Sequence, residues 1–207
     1  GFVNDPVVKG NTFFHPVNEE ATAKYLARFY LLNFALGMDC ILQHTFQDGG
    51  DGPMGLIRAD FSPKLAYQVL GRIFGLFDSS WKLATDIPVV LEGNAQLSTR
   101  EALWMDGDVG LMKLPVQGGV HAYVWRQPER HELALALWNA CWPEALSPPI
   151  ARTVKIKAPG YGHAIAIDLL TGDHPDLPAT RVEGDGTLVF ENLPVPDYPV
   201  VIKLFAG

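Results

Sequence analysis

Gln43, His44, Phe46 and Asp48 fall within one short stretch and combine the side chains that grip a sugar. An amide, an imidazole and a carboxylate can fork onto neighbouring hydroxyls, while a phenyl ring covers the C–H face of a pyranose. A plainer reading competes at two of these positions. His44 could be a buried, hydrogen-bonded histidine, and Asp48 could close the turn of the glycine-rich loop behind it. Other chemistry is thinly represented. Asp48-Gly49-Gly50-Asp51-Gly52 offers oxygen ligands but lacks the spaced acids and terminal glutamate of a calcium loop, and Asp106-Gly107-Asp108 reads as a turn. There is no Gly-x-Ser-x-Gly elbow, no phosphate loop and no dinucleotide glycine pattern. Neither His-x-x-x-His nor Cys-x-x-Cys occurs, so no metal and no cofactor are expected. Trp104, Trp125, Trp138 and Trp142 could form a second sugar-binding face, although Trp138 lies in the most apolar segment and suits core packing better.

The elements that would carry these residues change character near Asp86. Asn18 is a good N-cap, with Glu19 and Glu20 in the first turn, where the helix dipole favours acids and accounts for both without catalysis. Tyr25, Phe29, Leu32 and Leu36, joined by Leu26 and Tyr30, predict one wide buried stripe, and Gly37 should end the helix. Met38 to Phe46, apolar at its start and polar at its end, predicts a buried strand that delivers Gln43 and His44 to a polar edge. Gln47 to Gly55 is a glycine-rich loop. Ser62-Pro63 predicts the start of a second helix, buried through Leu65, Ala66, Val69, Leu70, Ile73, Phe74 and Phe77.

After Asp86 the periodicity is that of strands. Val120 to Arg126 and Glu132 to Asn139 form a hairpin. Leu133, Leu135 and Leu137 alternate with Ala134, Ala136 and Trp138, which predicts a central strand covered on both sides. Val154 and Ile156 alternate with Lys155 and Lys157, so that strand has one wet face. Strands around Ile165–Leu169, Leu188–Phe190 and Val200–Leu204 complete an antiparallel sandwich.

The totals narrow the partners. Across 207 residues the formal charge is -7 and the composition is 48% hydrophobic, a globular balance that argues against nucleic acid and suits neutral substrates. The longest apolar stretch, Phe29 to Leu42, is interrupted by Asn33, Gly37 and Asp39, so no membrane span is expected. Cys40 and Cys141 sit in apolar surroundings and read as two buried free thiols.

Three segments taken together resemble the end of clan A glycoside hydrolases. They are Ala23-Lys24-Tyr25-Leu26-Ala27-Arg28-Phe29-Tyr30-Leu31-Leu32 with Ala35-Leu36-Gly37, then Phe46-Gln47-Asp48-Gly49-Gly50, then Gly55-Leu56-Ile57 with Ser62-Pro63-Lys64-Leu65-Ala66-Tyr67. Ala134-Leu135-Ala136-Leu137-Trp138-Asn139 and Asp197-Tyr198-Pro199-Val200 resemble strands of the β-domain that trails many such barrels. The resemblance implies an α/β plus all-β chain: residues 1–86 as the last segment of a TIM barrel (helix seven, strand eight, helix eight) and residues 87–207 as a β-sandwich. Clan members use two glutamates, at the ends of strands four and seven, as acid/base and nucleophile roughly 5 Å apart. Both positions would precede Gly1, and residues 1–17 would be the loop after strand seven on the catalytic face.

The resemblance therefore implies a fragment without catalytic glutamates. Gln43, His44, Phe46 and Asp48 would form one wall of a carbohydrate cleft, and the partner would be the missing N-terminal barrel portion of the same protein. The family often places a tryptophan near Gln43, and none stands there. Such enzymes are often exported, which suggests a secreted or periplasmic location. The alternative is a non-catalytic carbohydrate-binding or interaction module built on the sandwich. Alone, the fragment is expected to aggregate or dimerise, because a barrel sector leaves apolar faces uncovered.

Overall fold

The computed structural model describes residues 18–38, 40–43, 45–49, 53–93, 98–103, 111–117, 119–141 and 148–207, with the backbone alone for 98–103 and 111–117. Two helices, α1 (Glu19–Ala35) and α2 (Leu65–Leu76), precede the strands β1 (Lys82–Leu83), β2 (Val89–Glu92), β3 (Ser98–Leu103), β4 (Leu111–Gln117), β5 (Val120–Gln127) and β6 (Glu132–Asn139). The chain continues through β7 (Ile150–Lys157), β8 (Tyr161–Asp168), β9 (Arg181–Val182), β10 (Thr187–Val195) and β11 (Val200–Ala206). One sheet has the order β1-β5-β6-β11-β8, a second β2-β7-β10-β9, and β3 pairs with β4 alone. Every strand pairing is antiparallel.

The layering follows from alternation along β6. Leu133, Leu135 and Leu137 point into a core shared with Val154, Ile156, Leu188, Phe190 and Ile202, which closes the two sheets on each other. Ala134, Ala136 and Trp138 point the other way, into a second core with the helices. The strand is covered on both sides, as its two apolar faces require. Lys155 and Lys157 flank the buried Val154 and Ile156 with partial or full exposure, giving β7 its wet face.

Helix α1 begins at Asn18, whose side chain accepts from Ala21 N at 2.7 Å. It ends in a Schellman turn: Met38 N donates to Asn33 O, Gly37 N donates to Phe34 O, and Gly37 takes the left-handed φ of +72° that this cap demands. The buried face is not the stripe expected from the bulky residues. Ala23, Leu26, Ala27, Tyr30, Leu31 and Ala35 are buried in the core shared with α2 and the sheet, whereas Phe29 and Leu36 are exposed. Small residues hold much of that buried face, and the close backbone neighbour of α1 is α2 rather than a strand.

Four other expectations are corrected. The described residues among 38–46 form no strand, and Met38, Leu42 and Phe46 are exposed, Leu42 at 87%. A parallel strand is held by neighbours on its edges, and the described residues offer this segment no ladder. The barrel remnant is thus not visible as a βα unit; what stands is antiparallel sheet with two helices laid on it. Helix α2 starts at Leu65, two residues after the expected Pro63, because Pro63 bridges Ile57 instead. Phe74, expected to be buried, is exposed and meets Tyr30 edge-on. Finally, Cys141 is buried but Cys40 is exposed, which follows from the missing strand.

Candidate functional site

Once the Schellman turn releases the chain at Met38, the loop of interest is held by a few backbone bonds. Gln47 forms a parallel bridge with Ile57, Leu56 N and Ile57 N both donate to Phe46 O at 2.8 and 3.0 Å, and Asp48 N donates to Ile57 O at 3.0 Å. This close crossing needs glycine at 55: a Cβ there would come within 2.4 Å of Asp48 N.

Lys64 locks the arrangement. Its side chain is almost fully buried, and its ammonium donates to Asp48 Oδ1 at 2.6 Å and to Pro53 O at 3.1 Å. The same Asp48 oxygen accepts from Gly55 N at 2.8 Å. Asp48 is therefore occupied with closing its own loop. Glu19 ties the loop to both helices, its Oε2 accepting from Arg58 and its Oε1 from Leu65 N, each at 2.6 Å. Leu65 is the first residue of α2, so a carboxylate from α1 caps a helix whose own N-cap, Lys64, supplies no side-chain acceptor.

Phe46 is exposed and packs edge-on against Tyr67, ring centroids 6.3 Å apart. Gln43 is half-buried on the same loop. His44 lies outside the described residues, as do Trp104, Trp142, the Asp106-Gly107-Asp108 stretch, Gly50 to Gly52 and residues 1–17. What the described loop presents is an exposed aromatic pair beside a carboxylate fixed by a buried lysine. That arrangement can stack and orient a ring. Asp48 is not free for proton transfer there, because it is bound to Lys64. Lys64 and Glu19 were not legible as site-building residues; a lysine directly after the helix-start proline was the one available signal.

A second polar cluster joins α1 to the sandwich. Lys24 Nζ lies 2.9 and 3.2 Å from the two carboxylate oxygens of Asp197, both residues being buried, and 3.0 Å from Glu20. Arg28 donates to the carbonyls of Cys141, Asn139 and Asp197. Burial lowers the Arg28 pKa and raises that of the Cys141 thiol. Tyr198 donates to Asp168 at 2.7 Å, and its hydroxyl pKa is raised by burial and then by this bond. His121 stacks on Trp138 at 5.0 Å, and its pKa is lowered first by burial and then by Arg28. Trp125 and Trp138 are core residues rather than a sugar platform.

Among the described residues, no group of three His, Cys, Asp or Glu side chains could hold a metal ion, and no helix is long and apolar enough to cross a membrane. No protein-family model matches the chain, and no curated protein matches it significantly.

Proposed function

We propose that this chain is the C-terminal part of a (β/α)8-barrel glycoside hydrolase of the retaining type, contributing one wall of the substrate cleft and a supporting β-sandwich. The observation that carries the proposal is an uncovered apolar run toward the C-terminal end of α1 and in the segment that follows it. Ala23, Ala27 and Leu31 are sealed in the core shared with α2 and the five-stranded sheet, yet Phe29, Leu36, Met38 and Leu42 remain exposed. Exposed apolar side chains gathered in one place mark a surface made to be covered, and neighbouring barrel helices and strands would supply the cover. The sequence resemblance supports the same reading. The Phe46–Tyr67 pair and Gln43 would then border the cleft, with Asp48 and Lys64 setting the loop, and the acid/base and nucleophile would come from the barrel. A free-standing binding module fits less well, because the helix pair and the outer face of the five-stranded sheet share one core.

The test is to read the coding sequence upstream of Gly1, express the joined protein beside the 207-residue chain, and assay both on aryl glycosides. The joined protein should hydrolyse and remain monodisperse, and the chain alone should do neither. Robust turnover by the chain alone, or a joined protein inert on every glycoside, would overturn the proposal.

A further inference from the structure

The open end of the sandwich holds a cavity of about 310 Å³, near the lower bound of ligand pockets, roughly 300–1,000 Å³. Its floor is apolar and fixed: Leu133 and Ala158 are buried core residues, and Ala158 N is bonded to Gly186 O. Pro159 and the half-buried Tyr161 stand as walls, with Tyr161 N donating to Ala158 O at 3.2 Å. Charged groups ring the mouth. Arg126 Nη2 donates to Asp86 at 2.9 Å, and Lys157 stands across from them with Asp185 no closer than 3.6 Å. The lining thus carries two cations and one anion in a chain whose net charge is -7.

We propose that this pocket binds a single acidic sugar residue, a pyranose ring bearing a carboxylate. An aromatic and a proline wall over an aliphatic floor match the C–H face of such a ring. Among the described residues Arg126 uses Nη2 alone, which leaves Nε and Nη1 for a ligand carboxylate, and Lys157 adds a second positive charge. Asp86, steadied by Arg126, accepts from ring hydroxyls. None of these residues belongs to the loop around Gln43 to Asp48, so the inference stands without the glycosidase reading.

Saturation-transfer NMR and calorimetric titration of the full 207-residue chain, with glucuronate and methyl glucoside as probes, test it. Glucuronate should bind and weaken as salt is raised, and methyl glucoside should bind at least roughly tenfold more weakly. Arg126→Ala and Lys157→Ala should each cost glucuronate about tenfold, with an unchanged circular dichroism spectrum showing that the fold persists. Arg126→Lys should restore part of the loss. Absence of glucuronate binding, equal binding of the two probes, or indifference to both alanine variants would each overturn the proposal. Because the same variants leave the joined enzyme's cleft untouched, its aryl-glycoside turnover reports separately on the glycosidase reading.

Discussion

The contact between Lys24 and Asp197 bears most directly on how the helices and the sandwich depend on each other. Lys24 is 3% exposed and Asp197 1% exposed, and their closest approach is 2.9 Å. Replacing Asp197 by Leu removes the carboxylate and leaves the ammonium buried. Breaking a buried pair in this way costs about 3–5 kcal/mol. Glu20 stays 3.0 Å from Lys24 but is 40% exposed, so it compensates only in part, and the lower end, about 3 kcal/mol, is expected. For a chain of this size that is a fall of about 6–12 °C in Tm. Lys24→Met should cost a similar amount by stranding Asp197. The double variant should come within about 1 kcal/mol of the parent, because a buried ion pair exchanged for packed apolar side chains is close to neutral. Urea unfolding of the four proteins gives the coupling energy, with protein concentration varied to separate self-association from unfolding. Single variants that each cost under about 1 kcal/mol, or a double variant that costs the sum of the two, would refute the view that α1 is clamped to the sandwich by this pair.

Two further outcomes are open to direct measurement. Gly55→Ala places a methyl group 2.4 Å from the Asp48 amide; it should destabilise the loop by about 1–3 kcal/mol, read as accelerated hydrogen exchange at Asp48 and Ile57. Burial lowers the folded-state pKa of His121 below its usual 6.5, so its neutral form contributes stability above about pH 6.5 that is lost as pH falls toward the depressed folded value. The urea midpoint should therefore fall from pH 7.5 to pH 5.5, and His121→Phe should flatten that decline.

The sandwich was legible in the sequence because its signals are local and strict. A strand alternates with period two, so one glance along Leu133 to Trp138 gives both faces, and both proved covered. The helix caps were equally local: Asn18 and Gly37 act through bonds spanning three to five residues. Within the loop, the turn-closing reading of Asp48 rested on its own neighbourhood and matches its bond to Gly55. Its partner Lys64 lies sixteen positions along the chain, and Glu19 reaches Leu65 across forty-six. No periodicity encodes such meetings.

The misread face of α1 carries the strongest lesson. Bulk marks what a helix would gain by burial, while small residues mark where another layer can come close. Ala23, Ala27 and Ala35 are accordingly buried in the core with α2 and the sheet, and the heavier Phe29 and Leu36 are left outside it. At its partly exposed positions the first part of α1 carries Glu19, Glu20 and Arg28, as a surface helix should, since such a helix keeps its polar residues opposite its apolar stripe. Toward the C-terminal end the exposed side chains turn apolar, and Phe29 and Leu36 are followed by Met38 and Leu42, which lack sheet partners among the described residues. The exposure of Phe29 and Leu36 and the absence of a strand among the described residues of 38–46 then have one physical origin. Both segments carry a pattern written for two neighbours, and the sheet meets only one of those demands.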